Sequence, residues 1–226
     1  MNTTCVARRL VQFGLLVGWA AAHANLIANG GFESGNTGFG TDYTYMAGDP
    51  HEPAEYALVN DPSSVRSDVV SFFDHTLGSA NGTMFMGNGD LGVADIIWSQ
   101  SVTVLPGATY RFSVWVASWF SPPAAELSVQ INGVLVGSAF NAPQDAGEWE
   151  EQAFSWSSEL AASALIEILN PSTQYTGNDF ALDDLSFVQT SGPISTVPEP
   201  ATVALVVVSL IGVAGTRRRR PVAPTV

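Results

Sequence analysis

The sequence predicts an all-β sandwich, preceded by an apolar leader and followed by a single hydrophobic helix. Three observations carry this. Between Asn25 and Gln189, short runs of β-branched and aromatic residues are broken by Gly, Pro, Asn and Asp, the pattern of strands and turns in a two-sheet domain. No stretch of that span holds apolar residues at a helical period. At 226 residues the chain is long enough for one domain with a sizeable core, and too short for two once both ends are set aside.

Arg8 and Arg9 precede the apolar stretch Leu10 to Ala22, which ends in Ala22-His23-Ala24. That order predicts a secretory signal peptide over 1–24, removed by signal peptidase to leave Asn25 as the mature start. The only cysteine, Cys5, lies before the apolar stretch. The exported domain over 25–190 therefore has no thiol, no disulfide and no cysteine-based metal site.

Strands are predicted at 82–87, 95–104, 108–118, 126–131, 134–139, 150–157, 164–169 and 179–188. In Tyr110-Arg111-Phe112-Ser113-Val114-Trp115-Val116, alternation puts Tyr110, Phe112, Val114 and Val116 on one face and Trp115 on the other. Leu105-Pro106-Gly107 before it suits a type II turn. Asn132-Gly133, between Leu127–Ile131 and Val134–Val136, is a strong hairpin signal. The acid- and proline-rich segment Thr41 to Ser71 reads as long loops at one end of the sandwich, and 191–197 as a linker.

With both ends removed, only Arg66 and Arg111 face twenty carboxylates, a balance of −18 with no lysine. Such a surface repels nucleic acid and anionic membrane, and favours divalent cations and neutral partners.

The C-terminus orders three signals: Pro198-Glu199-Pro200, an apolar run from Ala201 to Gly215, and Arg217, Arg218, Arg219 and Arg220. Pro200 suits a first helical turn, and Glu199 the positive end of the helix dipole. The apolar run is about 15 residues, or roughly 22 Å as a helix, against a hydrocarbon core of roughly 30 Å. It is short for a permanent span, and the arginines predict a cytoplasmic C-terminus. A plain membrane anchor is one reading. The order of parts over 198–220 resembles the PEP-CTERM sorting signal of Gram-negative bacteria. That resemblance implies an exosortase-type membrane transpeptidase as partner, a transient stay in the inner membrane, then the cell surface or exopolysaccharide matrix. Asp74-His75-Thr76 and Asn88-Gly89 are similar to stretches of exported PEP-CTERM proteins.

Asn29-Gly30-Gly31-Phe32-Glu33 and Gly177-Asn178-Asp179-Phe180-Ala181-Leu182-Asp183-Asp184-Leu185, together with Gln100 and Pro106-Gly107-x-x-Tyr110, resemble the galactose-binding-like jelly rolls, several families of carbohydrate-binding modules among them. The resemblance implies a jelly-roll sandwich whose first and last strands are close and hold a structural calcium, with Glu33 and Asp183 as side-chain ligands. Asp184 is the weaker candidate, since period two points it to the opposite face. Calcium takes six to eight oxygens, carboxylates among them. Alternatively, Asp179, Asp183 and Asp184 are only solvated strand-end acids.

Flat aromatic faces stack on sugar C–H edges, although most aromatics of a sandwich pack its core. Trp156 and Phe154 read as core. Trp115, opposite the Tyr110–Val114 face, and Trp119, before Phe120-Ser121-Pro122-Pro123, are the candidates for a sugar face, with Gln130 as a polar neighbour. Catalytic patterns are lacking: His51-Glu52 has Glu55 where a zinc protease needs its second histidine, and no Gly-x-Ser-x-Gly elbow or Cys–His pair appears. The sequence therefore points to an exported, non-catalytic protein binding extracellular polysaccharide in a biofilm matrix. A structural matrix protein without a ligand, or a polysaccharide hydrolase, are the other readings.

Overall fold

The computed structural model describes residues 24–193, apart from 93, 94, 121, 173 and 175. The leader, the helix over 201–215, Pro198-Glu199-Pro200, Arg217–Arg220 and most of the linker lie outside the described residues. Among the described residues no helix is long and apolar enough to cross a membrane.

The described residues form eleven strands: β1 (Thr44–Tyr45), β2 (Glu55–Val59), β3 (Met84–Asn88), β4 (Asp95–Thr103), β5 (Thr109–Ala117), β6 (Glu126–Ile131), β7 (Val134–Leu135), β8 (Phe140–Asn141), β9 (Glu150–Ser157), β10 (Ser163–Asn170) and β11 (Asp179–Ser191). One sheet runs β1-β2-β3-β11-β5-β9; the other runs β4-β10-β6-β7, with β8 also on β6. The longer strands change sheet at every step from β3 to β6 and again from β9 to β11. That alternation, antiparallel in every pair but β1–β2, is a jelly roll.

The predicted alternation in β5 holds: Tyr110, Phe112, Val114 and Val116 are buried in the core between the sheets, with Trp98, Ile166, Ile168, Phe180 and Phe187. Both turn readings hold too. Gly107 has φ +74, and Asn132 and Gly133 have φ 54 and 75, the left-handed pair that a type I′ hairpin requires. The mature N-terminus lies along the last strand: Leu26 N–H donates to the Phe187 carbonyl and Leu185 N–H to the Gly30 carbonyl. A Cβ on Gly30 would stand 2.2 Å from the Leu185 carbonyl oxygen, so only glycine lets these backbones meet.

Two expectations are corrected. Thr41–Ser71 is not all loop, because β1 and β2 lie within it. The five residues of β2, four of them apolar and packed on both faces of the sheet, lie between Pro- and acid-rich flanks that disguise them, and Tyr56 stacks on Phe85 at 4.6 Å and 5°. The run predicted over 134–139 ends at Leu135, since Gly137 at φ +75 turns the chain.

The connection from β2 to β3, residues 60–83, crosses the outer face of the six-stranded sheet as a strap. Its Val65, Val69 and Phe72 cover a second core of Ala57, Val59, Met84, Met86, Ala117, Trp119 and Ala181. Trp149 closes this layer and donates its indole N–H to the Phe73 carbonyl. The strap gives both candidate sites below their outer wall.

Candidate functional site

The first site is a clasp where the strap meets β11. Asp183 pairs with Trp115 while Ser186 pairs with Ser113, so β11 carries one extra residue there. Asp184 takes φ 48, and Leu182 and Leu185 both remain in the core. The bulge thus turns Asp183 and Asp184 to the same outer face. This corrects the period-two expectation that they point apart.

Asp183 is fully buried and accepts from three backbone N–H groups, His75 at 2.7 Å, Thr76 at 2.8 Å and its neighbour Asp184 at 2.8 Å, and it shares the Thr76 hydroxyl, 3.1 Å away, with Asp184. Burial pushes its carboxyl up to about 7, against the pull of the backbone donors. Asp184 accepts from Thr76 Oγ1 at 2.7 Å and lies 2.6 Å from His75 Nδ1. The His75 ring lies flat on Trp115.

Calcium has a specific fit to pass here. Both Asp183 oxygens are taken by protein donors, and exposed Glu33 accepts the Thr83 N–H at 3.1 Å. Among the described residues no three acid or imidazole groups gather to hold a metal. Glu33, Asp183 and Asp184 in this arrangement do not fit a calcium ion, because the cation would have to displace the donors that fix the strap.

The second site is a pocket of about 210 Å³ at the end of the six-stranded sheet where β3 leaves and β11 enters. Its wall includes Arg66 from the strap, Trp119 and Phe120 beyond β5, Asn88 from β3 and Asp179 from β11. Trp119 is buried, donating its indole N–H to the Gly87 carbonyl, whereas Phe120 is 36% exposed. The Arg66 guanidinium lies 5.4 Å from the Trp119 ring centre and 5.9 Å from that of Phe120, cation–π geometry. Its Nη1 is 3.6 Å from Asp49 and its Nε 3.2 Å from Asp68.

Asp179 is 7% exposed, yet no described residue donates a hydrogen bond to its side chain. Burial pushes its carboxyl up to about 7; Arg66 pulls it down and Asp49 pushes it up. The Asp49 Oδ1 is itself buried without a hydrogen-bond partner. The pocket therefore presents the Asp179 carboxyl, with no described protein donor, beside the exposed Phe120 ring.

The sugar-face residues expected from sequence do not converge. Trp119 lines the pocket; Trp115 is on the same sheet but is covered by His75. Gln130 is on the other sheet, pointing away from the core and bonded to Glu167 at 2.8 Å. Sequence alone singles out neither Arg66 nor Asp179 as a ligand residue. The one available signal was that Arg66 is one of only two cations between the chain ends.

Residues 196–220 match the PEP-CTERM protein-sorting motif. This chain carries that motif. Pro198, Glu199, Pro200 and Arg217 to Arg220 all fall within the match. No curated protein sequence matches the chain. Among solved structures, a carbohydrate-binding module, TmCBM61 in complex with β-1,4-galactotriose, is 16% identical with a TM-score of 0.49, over 74% of this chain and 99% of that one. The CBM22-1 xylan-binding domain of Paenibacillus barcinonensis Xyn10C is 15% identical with a TM-score of 0.42, over 63% and 91%. The enzymatically active domain of bacteriophage CBA120 tailspike protein 4 is 14% identical with a TM-score of 0.47, over 74% of this chain and 21% of that one.

Proposed function

We propose that this protein is exported, passed by an exosortase-type transpeptidase to the cell surface or extracellular matrix of a Gram-negative bacterium, and binds neutral polysaccharide there without cleaving it. The PEP-CTERM motif supports the address. A lysine-free domain over 25–190, with twenty carboxylates against two arginines, supports the choice of an uncharged polymer over an anionic one.

The single observation that carries the binding reading is the pocket, where the Asp179 carboxylate, lacking a described protein donor, stands beside the exposed Phe120 ring. Hydroxyl-rich rings supply donors along their edge and C–H groups on their face, which is what this combination accepts. A glycan array probed with the full chain tests it. Retention on neutral glycans is expected; retention on none would leave a structural matrix role.

One observation favours a hydrolase as second reading. A pocket carboxyl held near 7 suits a general acid. Glycoside hydrolysis also needs a second carboxylate at a defined separation, and Asp49, the acid nearby, is paired with Arg66. Release of reducing sugar from neutral polysaccharide, abolished by Asp179→Asn, would establish that reading instead.

A further inference from the structure

We infer that the Asp179 pocket takes a single uncharged sugar unit end-on, at a chain terminus or branch, with sugar hydroxyls donating to the Asp179 carboxylate and the ring's apolar face on Phe120. The inference rests on the glycan-binding reading and names the ligand class of that site.

Size comes first. A cavity of about 210 Å³, with Arg66, Trp119, His51 and Pro53 in its lining, has room for one ring. A polymer lying along the sheet would need an open groove, and the strap occupies that face. The charge balance comes next. Arg66 is the one cation described at the pocket, and Asp49 and Asp68 already engage it. Two carboxylates on one guanidinium already leave this region net negative, and ionisation of Asp179 adds to it, so a uronate, sulfate or phosphate group is repelled.

Hydrogen bonding decides the polarity of the ligand. Asp179 is more than nine-tenths buried, lines the cavity and has no described donor. A sugar hydroxyl can donate to this carboxyl when it is ionised and accept from it when it is protonated, so hydroxyl groups pair with it in either state. A divalent cation would satisfy it only with several more oxygens, and the neighbouring guanidinium opposes one. Sugar hydroxyls meet the demand without adding charge.

The test uses the full chain and a panel of free monosaccharides: galactose, glucose and mannose, with glucuronic acid and glucosamine as charge controls. Binding is followed by saturation-transfer NMR and by tryptophan emission, since Trp119 lines the cavity. At least one neutral hexose is expected to bind, glucuronic acid at least roughly tenfold more weakly, and Asp179→Ala or Phe120→Ala to weaken the hexose by roughly tenfold or more. Phe120→Ala removes an exposed ring, so it keeps the test valid if Asp179→Ala fails to fold. Equal binding of glucuronic acid, binding of glucosamine alone, or hexose binding indifferent to both variants would overturn the inference. If no monosaccharide binds while neutral polysaccharide is still retained, end-on recognition fails and the glycan reading stands. If polysaccharide is not retained either, the glycan reading falls with it.

Discussion

The imidazole of His75 lies on the indole of Trp115, ring centres 3.7 Å apart and 15° from parallel, while His75 Nδ1 is 2.6 Å from Asp184. The strap is thus fixed to the sheet by a stacked pair, and the ring that sequence alone offers to sugar is spent on the fold. His75→Ala is expected to cost about 1–3 kcal/mol, from one stacking contact and one hydrogen bond. Trp115→Ala should lower the melting temperature and leave glycan affinity unchanged. A lost affinity at intact stability would return Trp115 to the binding face.

Thr76 tests the same clasp from the other side, because its hydroxyl reaches both Asp183 and Asp184. Thr76→Val should destabilise by about 1–3 kcal/mol, the cost of leaving a buried acceptor short of a donor. Thr76→Ser, which keeps the hydroxyl, should recover most of it. Chemical denaturation of the two variants measures the difference.

Calcium provides a third check. With Asp183 saturated by protein donors, melting curves in calcium and in chelator should coincide. A clear rise with calcium, lost in Glu33→Gln and Asp183→Asn, would mean that the strap yields its donors to an ion.

The pH dependence follows from Asp179. Its carboxyl is raised to about 7 in the folded chain from an ordinary 3.8, so between those values the folded state holds a proton that the unfolded state has lost. The stabilisation is complete below 3.8 and disappears as pH rises through 7, so the domain should be more stable at pH 5 than at pH 8. Between pH 8 and pH 5 this is worth on the order of 3 kcal/mol. Asp183 is shifted the same way, and relief of general carboxylate repulsion adds to the trend, so the informative quantity is the difference made by Asp179→Asn. That variant should lose part of the gain between pH 8 and pH 5; an unchanged slope would contradict the assignment.

Much of the fold was legible because local signals agreed with the tertiary structure. β5 announces its inner face by alternation, and Pro106-Gly107 and Asn132-Gly133 fix their turns by backbone conformation alone. β2 was hidden because five residues covered on both faces show no alternation and carry little weight between Pro53 and Pro62. Asp184 was misdirected because period two fails at a bulge, and a bulge depends on pairing with β5 that no local pattern reveals. The pocket was illegible for a related reason. Arg66, Trp119 and Asp179 are brought together by a strap crossing the sheet, and their separation in sequence says nothing of that path.

The sorting motif makes its own prediction. If the tail is removed on transfer, the mature protein recovered from the surface should lack Arg217 to Arg220. Intact-mass measurement decides it, and a retained arginine cluster would leave a plain anchor.

The most direct test of the central claim is affinity electrophoresis of the full chain in gels containing a neutral or a uronate-rich polysaccharide. The account predicts retardation in a neutral gel, relieved by Phe120→Ala and undiminished in Trp115→Ala that remains folded, with free migration in the uronate gel. Free migration in every neutral gel, or equal retardation in both kinds, would contradict it.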